Sequence, residues 1–192
     1  MADQIDFQSL SLGMRRMGWI RFWTQTVLGT VSAGILLFYQ VGGNLERGVL
    51  DAAGLSGGLG ITTLSFFILL YSLWHGWLIV KKGRALNSSA RPSRGETSQL
   101  LKRGVFVDLL GLVFSVIGYQ ALAGALTIQA ATQVPGFFGG PMMVGANNQA
   151  AISMGITSIE MLSMLSNTQV LMAHLVGLIF SLWLLQRIYR TR

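Results

Sequence analysis

Four long apolar stretches constrain this 192-residue chain more than any other feature. A helix needs about 20 mostly apolar residues to cross the hydrocarbon core of a bilayer. Charged residues make up only 11% of the chain, against about a quarter in soluble domains, while hydrophobic residues make up 52%. The sequence therefore predicts an all-α, polytopic membrane protein in which residues 1–192 form a single membrane domain. Its four transmembrane helices are expected at residues 19–41, 57–80, 104–131 and 167–185.

The basic residues predict how these spans are oriented. Of the 14 lysines and arginines, all but Arg47 lie before or at the start of the first span, in the connection 81–103, or after the fourth span. Loops on the cytoplasmic side of membrane proteins carry an excess of Lys and Arg. We therefore expect both termini and the connection 81–103 to be cytoplasmic, and the segment 132–166 to form an outer loop.

The connections between spans carry their own signals. Residues 42–56 mix leucine, valine and charged residues, which favours a short interfacial helix. Residues 86–98 have the Ser, Gly and Pro content of a hydrated linker. The outer segment 132–156 has no charge, so we expect it to fold back onto the bundle. Residues 157–166 are predicted to form a further short helix that leads into the fourth span.

The third span carries a face of small and polar residues. They recur at steps of three and four and therefore share one side of a helix. Two interpretations stay open: a seam that packs against a neighbouring helix, since small residues let membrane helices approach closely, or the lining of a narrow polar path. The residues of this face are Asp108, Gly111, Ser115, Gly118, Ala121, Ala125 and Gln129.

Ionisable residues inside membrane spans are candidates for function, because a charge there costs about 2.5–3.5 kcal/mol. Asp108 and His75 are both expected about 8 Å inside the cytoplasmic end of their spans, where they could meet between adjacent helices. His174 is expected deeper, in a different layer. Glu160 could attract cations at an outer mouth, or simply favour the start of a helix.

One Asp and two His residues could hold Fe(II) or Mn(II) with water as a further ligand. The expected difference in depth argues against a single three-ligand site and favours separate weak sites along a path. A purely structural polar clasp is the alternative for Asp108, His75 and His174. The sequence leaves the existence of a metal site open.

Other classes of function have little support in the sequence. There is no cysteine, no Ser-His-Asp spacing and no phosphate-binding glycine loop after a strand. We therefore expect a protein that is not an enzyme, with no catalytic residue and no cofactor. Topology accounts for the basic residues, so no nucleic-acid partner is expected. The expected partners are the lipid bilayer and further membrane subunits.

Several motifs suggest a family. The opening RRMGWIRFW, the third-span segments KRGVFVDLLG and IGYQALAG, and the fourth-span AHLVGLIFSLWLLQR resemble the chloroplast inner-envelope permease family. Its plant members have also been described as a small, four-helix subunit of the inner-envelope protein translocon, and cyanobacteria have relatives. The resemblance covers most of residues 12–190. It implies that Gly111, Gly118, Gln120, His174 and Gly177 fall on family positions.

The resemblance implies one of two activities. The first is iron transport by a permease-like protein in the plasma or thylakoid membrane of a cyanobacterium. The candidate path residues are Asp108, His75, His174, Glu160, Gln120 and Gln129. The second is a non-transporting role as a component of a protein translocon or as an assembly scaffold for photosynthetic complexes. A lone four-helix bundle is small for a solute path, so we expect a homo-oligomer or a larger membrane complex.

Overall fold

The computed structural model describes residues 2–42, 55–86, 93–132 and 158–190, and the structural statements below concern these ranges. Within them the chain is helical, with no strand, so the all-α prediction is confirmed. The four helices are α1 (Ala2–Gly42), α2 (Leu55–Ala85), α3 (Arg94–Thr132) and α4 (Ser158–Arg190).

The helices form one bundle in which α1 and α3 are diagonally opposite each other. α2 and α4 each pack against both of them. Three apolar clusters follow one another along the bundle, centred on Leu101, Leu69 and Leu122. The cluster at Leu101 joins Met14, Ile79 and Leu184 and marks one end, which we call the basic end because Arg15, Lys81, Arg103 and Arg187 lie there.

Three of the helices are long and apolar enough to cross a membrane. The segments are Gly57–Ala85, Gly95–Ile128 and Met161–Tyr189, and they contain or overlap the second, third and fourth predicted spans. Among the described residues such a segment is not found in α1, where Arg21 and Gln25 lie within the first predicted span. Large apolar side chains point outward along the bundle, including Phe38, Phe67, Phe106 and Ile128. Such a surface is what a membrane-embedded bundle presents to lipid.

One predicted connection differs from the structure, and another agrees with it. α3 begins at Arg94, so the end of the predicted linker 86–98 is helical. Ser93 caps this helix, because its Oγ accepts the Glu96 amide proton at 3.1 Å in the Ser-x-x-Glu pattern of a helix start. The helix predicted at 157–166 is present from Ser158 and continues without interruption into the fourth span as α4.

Other predictions about the connections fall on undescribed residues. The interfacial helix predicted within 42–56 lies almost entirely in the undescribed segment 43–54. Most of the outer segment 132–166 likewise lies outside the described residues, up to 157.

Candidate functional site

The interior of the bundle holds a fully buried ion pair. Arg21 on α1 donates from Nη2 to Oδ2 of Asp108 on α3 over 2.9 Å, and both side chains are 0% exposed. The pair crosses the diagonal between α1 and α3, which have no close backbone contact with each other. A charge left unpaired at this depth would be costly, so each member makes the burial of the other tolerable.

Polar side chains surround this pair, so that all four helices contribute to the site. Ser72 on α2 accepts from Arg21 at 2.9 Å and donates to Asp108 Oδ1 at 2.5 Å. Ser181 on α4 accepts from Arg21 Nη1 at 2.7 Å. Gln25 donates to Ser72 Oγ and to the Ala173 carbonyl, both at 3.1 Å. We call Arg21, Gln25, Ser72, Asp108 and Ser181 the central polar cluster.

Local sequence explains why these groups can meet. Arg21 and Gln25 are one helical turn apart and therefore share the inner face of α1. Gly177 lets α4 come close to the cluster, because a Cβ at that position would lie 2.6 Å from Asp108 Oδ2 and would also overlap Gln25 Nε2. The glycine is thus required by the close approach of a polar cluster as well as by helix packing.

His174 lies directly beside the central polar cluster. Its Nδ1 is 3.6 Å from Asp108 Oδ1, and its Nε2 is 3.2 Å from the Ser65 carbonyl oxygen. The expectation that His174 occupies a different layer from Asp108 is therefore wrong. That expectation measured the depth of Asp108 from Arg103 and the depth of His174 from Arg187. These two arginines do not lie at the same level along the bundle. Counted from the end of each helix nearest the basic end, Asp108 and His174 lie at about 21 and 24 Å.

His75 lies one helical turn closer to the basic end. It is 2% exposed, and neither ring nitrogen has a hydrogen-bond partner among the described residues. The ring faces Gly104, where a Cβ would lie 3.0 Å from its Cε1. The expected meeting of His75 with Asp108 does not produce a hydrogen bond, since Arg21, Ser72 and His174 surround the carboxylate instead.

Further polar contacts continue along the bundle toward the end opposite the basic one. Ser65 on α2 and Ser115 on α3 are hydrogen-bonded to each other at 2.7 Å, and the hydroxyl that accepts in this bond donates to the Gly111 carbonyl. The Gly111 position faces the His174 ring, which a Cβ there would overlap. Beyond this layer, Asn167 contacts Thr62 Oγ1 at 2.9 Å, and Ser32 donates to the Ser166 carbonyl at 2.7 Å.

The small face predicted on α3 is only partly inside the bundle. Asp108, Gly111, Ser115 and Gly118 are buried against α2 and α4, and the intervening Leu122 is buried with them. Ala121 and Ala125 are half-buried at its edge. Gln120 points away from the bundle and is exposed. Gln129 and Glu160 lie on α3 and α4, but their side chains lie outside the described part of the structure.

The chemistry of the centre is that of a neutral, hydrogen-bonded ion pair. Among the described residues, no three His, Asp or Glu side chains are arranged to hold a metal ion. The sequence reasoning missed Arg21 and Gln25, because Arg21 was counted with the basic residues that set the topology. The signal was present: a Gln one turn after an Arg, both within the predicted first span.

An apolar outer surface around a buried polar core of this kind defines an integral helical membrane protein. The chain belongs to the family described as "Protein of unknown function (DUF3611)", which matches residues 4–189. It is 25% identical over 178 residues to "Protein TIC 21, chloroplastic" of Arabidopsis thaliana, which confirms the resemblance to the chloroplast envelope family. The match covers 91% of this chain but 56% of that relative, so the chain spans little more than half its length. No solved structure matches the chain.

Proposed function

We propose that the chain is a non-conducting membrane subunit of a translocon-type assembly, and that its own bundle is a sealed structural unit. The observation that carries this proposal is the position of Arg21, whose guanidinium occupies the bundle interior with no exposed surface. The relationship to TIC 21 supports membership of a chloroplast-envelope type of protein.

The charges in the centre argue against a cation path through the bundle. A unit positive charge 4 Å from Arg21 would be repelled by about 4 kcal/mol at an effective dielectric constant near 20, and a divalent ion by about twice that. The negative charge of Asp108 offsets part of this repulsion, but a cation that binds the carboxylate directly would have to displace its existing hydrogen bonds. Its Oδ2 already accepts from Arg21 and its Oδ1 from Ser72.

Direct contacts between side chains close the interior of the described bundle at the level of the central polar cluster, where they leave no lumen. The hydrogen bonds of the central polar cluster are between side chains or between a side chain and a carbonyl, at 2.5–3.5 Å. Next to it, the Ser65–Ser115 contact at 2.7 Å holds α2 against α3. A solute crossing this bundle would have to break several of these bonds together.

The outer face of α3 supports a role within an assembly. Gly124 has no heavy atom within 4 Å of a Cβ built on it, so nothing inside the described bundle requires a glycine there. Gln120 lies one turn away on the same outward face. Glycine and an amide on a lipid-facing surface are features that favour contact with another helix.

Reconstitution tests this proposal directly. Vesicles with the purified full-length chain should take up ferrous iron no faster than protein-free vesicles. In mild detergent, the chain from its native membrane should migrate in a particle with other polypeptides at a fixed ratio. Protein-dependent iron uptake that Asp108→Asn abolishes, while Gly124→Ala leaves it unchanged, would contradict the proposal.

Iron permeation is the second candidate, and one observation favours it. Asp108 and His174 lie side by side at 3.6 Å, and within the described ranges neither ring nitrogen of the buried His75 has a hydrogen-bond partner. Carboxylate and imidazole are groups that bind Fe(II). If this candidate is correct, His174→Ala should reduce ferrous uptake into vesicles at least tenfold. Ser32→Ala, in the polar layer that contains Asn167, should leave it unchanged.

A further inference from the structure

The basic end of the bundle carries aromatic residues that mark the level of lipid headgroups. All five tryptophans of the chain are exposed and lie in the half of the bundle next to this end. The Lys81 amine lies 5.4 Å from the centre of the Trp77 ring, and the Lys102 amine 5.9 Å from that of Tyr189. Tryptophan and tyrosine favour the membrane–water interface, because their rings are apolar with one polar edge.

A cavity of about 230 Å³ opens at the same level, between the end of α2 and the start of α3. It is several times larger than the ~30 Å³ occupied by one water molecule. Four of its five lining residues carry polar or charged groups, but most of its exposed wall is apolar. The lining residues are Lys82, Glu96, Gln99, Leu100 and Arg103.

The charges in this cavity are not balanced. Lys82 is paired with Glu96 at 3.1 Å, and both side chains are substantially exposed. Arg103 is exposed and has no carboxylate partner among the described residues. The cavity therefore offers one free guanidinium, an amide donor from Gln99, and an ammonium group held at its edge.

We propose that this cavity binds the phosphodiester of an anionic phospholipid headgroup. Arg103 supplies a planar pair of N–H donors that suits two phosphate oxygens, and Gln99 supplies a third donor. The half-buried Leu100 contacts the glycerol end of the lipid. Glu96 limits the affinity, because it holds Lys82 and repels the phosphate.

The level of the cavity favours a lipid over a soluble anion. Trp77 precedes Lys82 by five residues on α2, and Tyr189 lies against Lys102, the neighbour of Arg103. Both rings thus lie within about two helical turns of the cavity, where headgroups are found.

The test uses the purified full-length chain in neutral detergent with phosphatidylglycerol or phosphatidylcholine added, and native mass spectrometry to count bound lipids. We expect phosphatidylglycerol to bind preferentially. Arg103→Gln should weaken its binding roughly five- to tenfold, as expected for one cation near an anionic headgroup. Arg84→Gln is the matched control, an exposed arginine at the same end that does not line the cavity, and should change binding less than twofold.

Glu96→Gln should strengthen binding, because it removes a negative charge and releases Lys82. Lys82→Gln gives a second weakening variant if Arg103→Gln does not fold. Equal losses in Arg103→Gln and Arg84→Gln would overturn the proposal in favour of diffuse attraction. Equal binding of phosphatidylcholine would also overturn it. Displacement of the lipid by millimolar inorganic phosphate would assign the cavity to a free anion instead.

Discussion

The Arg21–Asp108 pair allows a quantitative prediction about stability. In Asp108→Ala, the Arg21 guanidinium stays buried, with Gln25, Ser72 and Ser181 as its remaining partners. Removing one member of a buried ion pair costs about 3–5 kcal/mol, largely because the other charge is left uncompensated. Asp108→Asn should cost somewhat less, because its single amide oxygen can still accept from Arg21, although the NH2 group then replaces the oxygen that accepts from Ser72.

The double variant Arg21→Met with Asp108→Ala separates the pair from its surroundings. It removes both charges, so its free energy of unfolding should fall by little more than in the worse single variant. The coupling energy between the two sites should then be about 2–4 kcal/mol. The measurement is reversible unfolding in mixed micelles of dodecyl maltoside and sodium dodecyl sulfate, followed by circular dichroism.

Ser32→Ala provides the control for this cycle, because its bond to the Ser166 carbonyl lies in another layer. It should cost about 0.6 kcal/mol, typical of hydrogen bonds between membrane helices, and should add to Asp108→Ala without coupling. If the Arg21 and Asp108 single variants were additive to within about 0.5 kcal/mol, the ion pair would not hold the interior together.

Two further predictions concern packing and topology. Gly111→Ala should destabilise the bundle by about 1–3 kcal/mol in the same unfolding assay, because its Cβ overlaps the His174 ring; Gly124→Ala, in open space, should not destabilise the isolated chain, and equal losses would refute the assignment. Since the chain has no cysteine, single variants Arg16→Cys, Gln186→Cys and Ser158→Cys can be labelled in sealed vesicles with a membrane-impermeant maleimide. The first two should react from one face and Ser158→Cys from the other, and reaction of Arg16→Cys and Gln186→Cys from opposite faces would refute the four-pass arrangement.

Much of the architecture could be predicted from the sequence, because hydrophobic length and small-residue spacing are local properties. The face containing Asp108, Gly111, Ser115 and Gly118 follows from helical periodicity alone, and these residues are buried together. The start of α3 could also have been found, since Ser93 and Glu96 have the spacing of a capping box.

The composition of the central polar cluster could not be predicted in the same way. Whether Arg21 points to a headgroup or into the bundle depends on side chains from three other helices. The first of these in the sequence is Ser72, which lies 47 residues beyond Gln25. The depth of His174 depends on how far each helix extends beyond the membrane, which charged residues indicate poorly because long side chains reach toward water. Tertiary contacts decide both questions.

The ion pair also has a consequence for biosynthesis. Arg21 is made 87 residues before Asp108, so α1 is complete while its counter-charge is still unsynthesised. Holding an arginine in the hydrocarbon without a partner costs about 2.5–3.5 kcal/mol even by the lowest scale. During translation, α1 should therefore remain shallow, with Arg21 among the headgroups beside Arg15 and Arg16, and should reach its final depth only after α3 has been inserted.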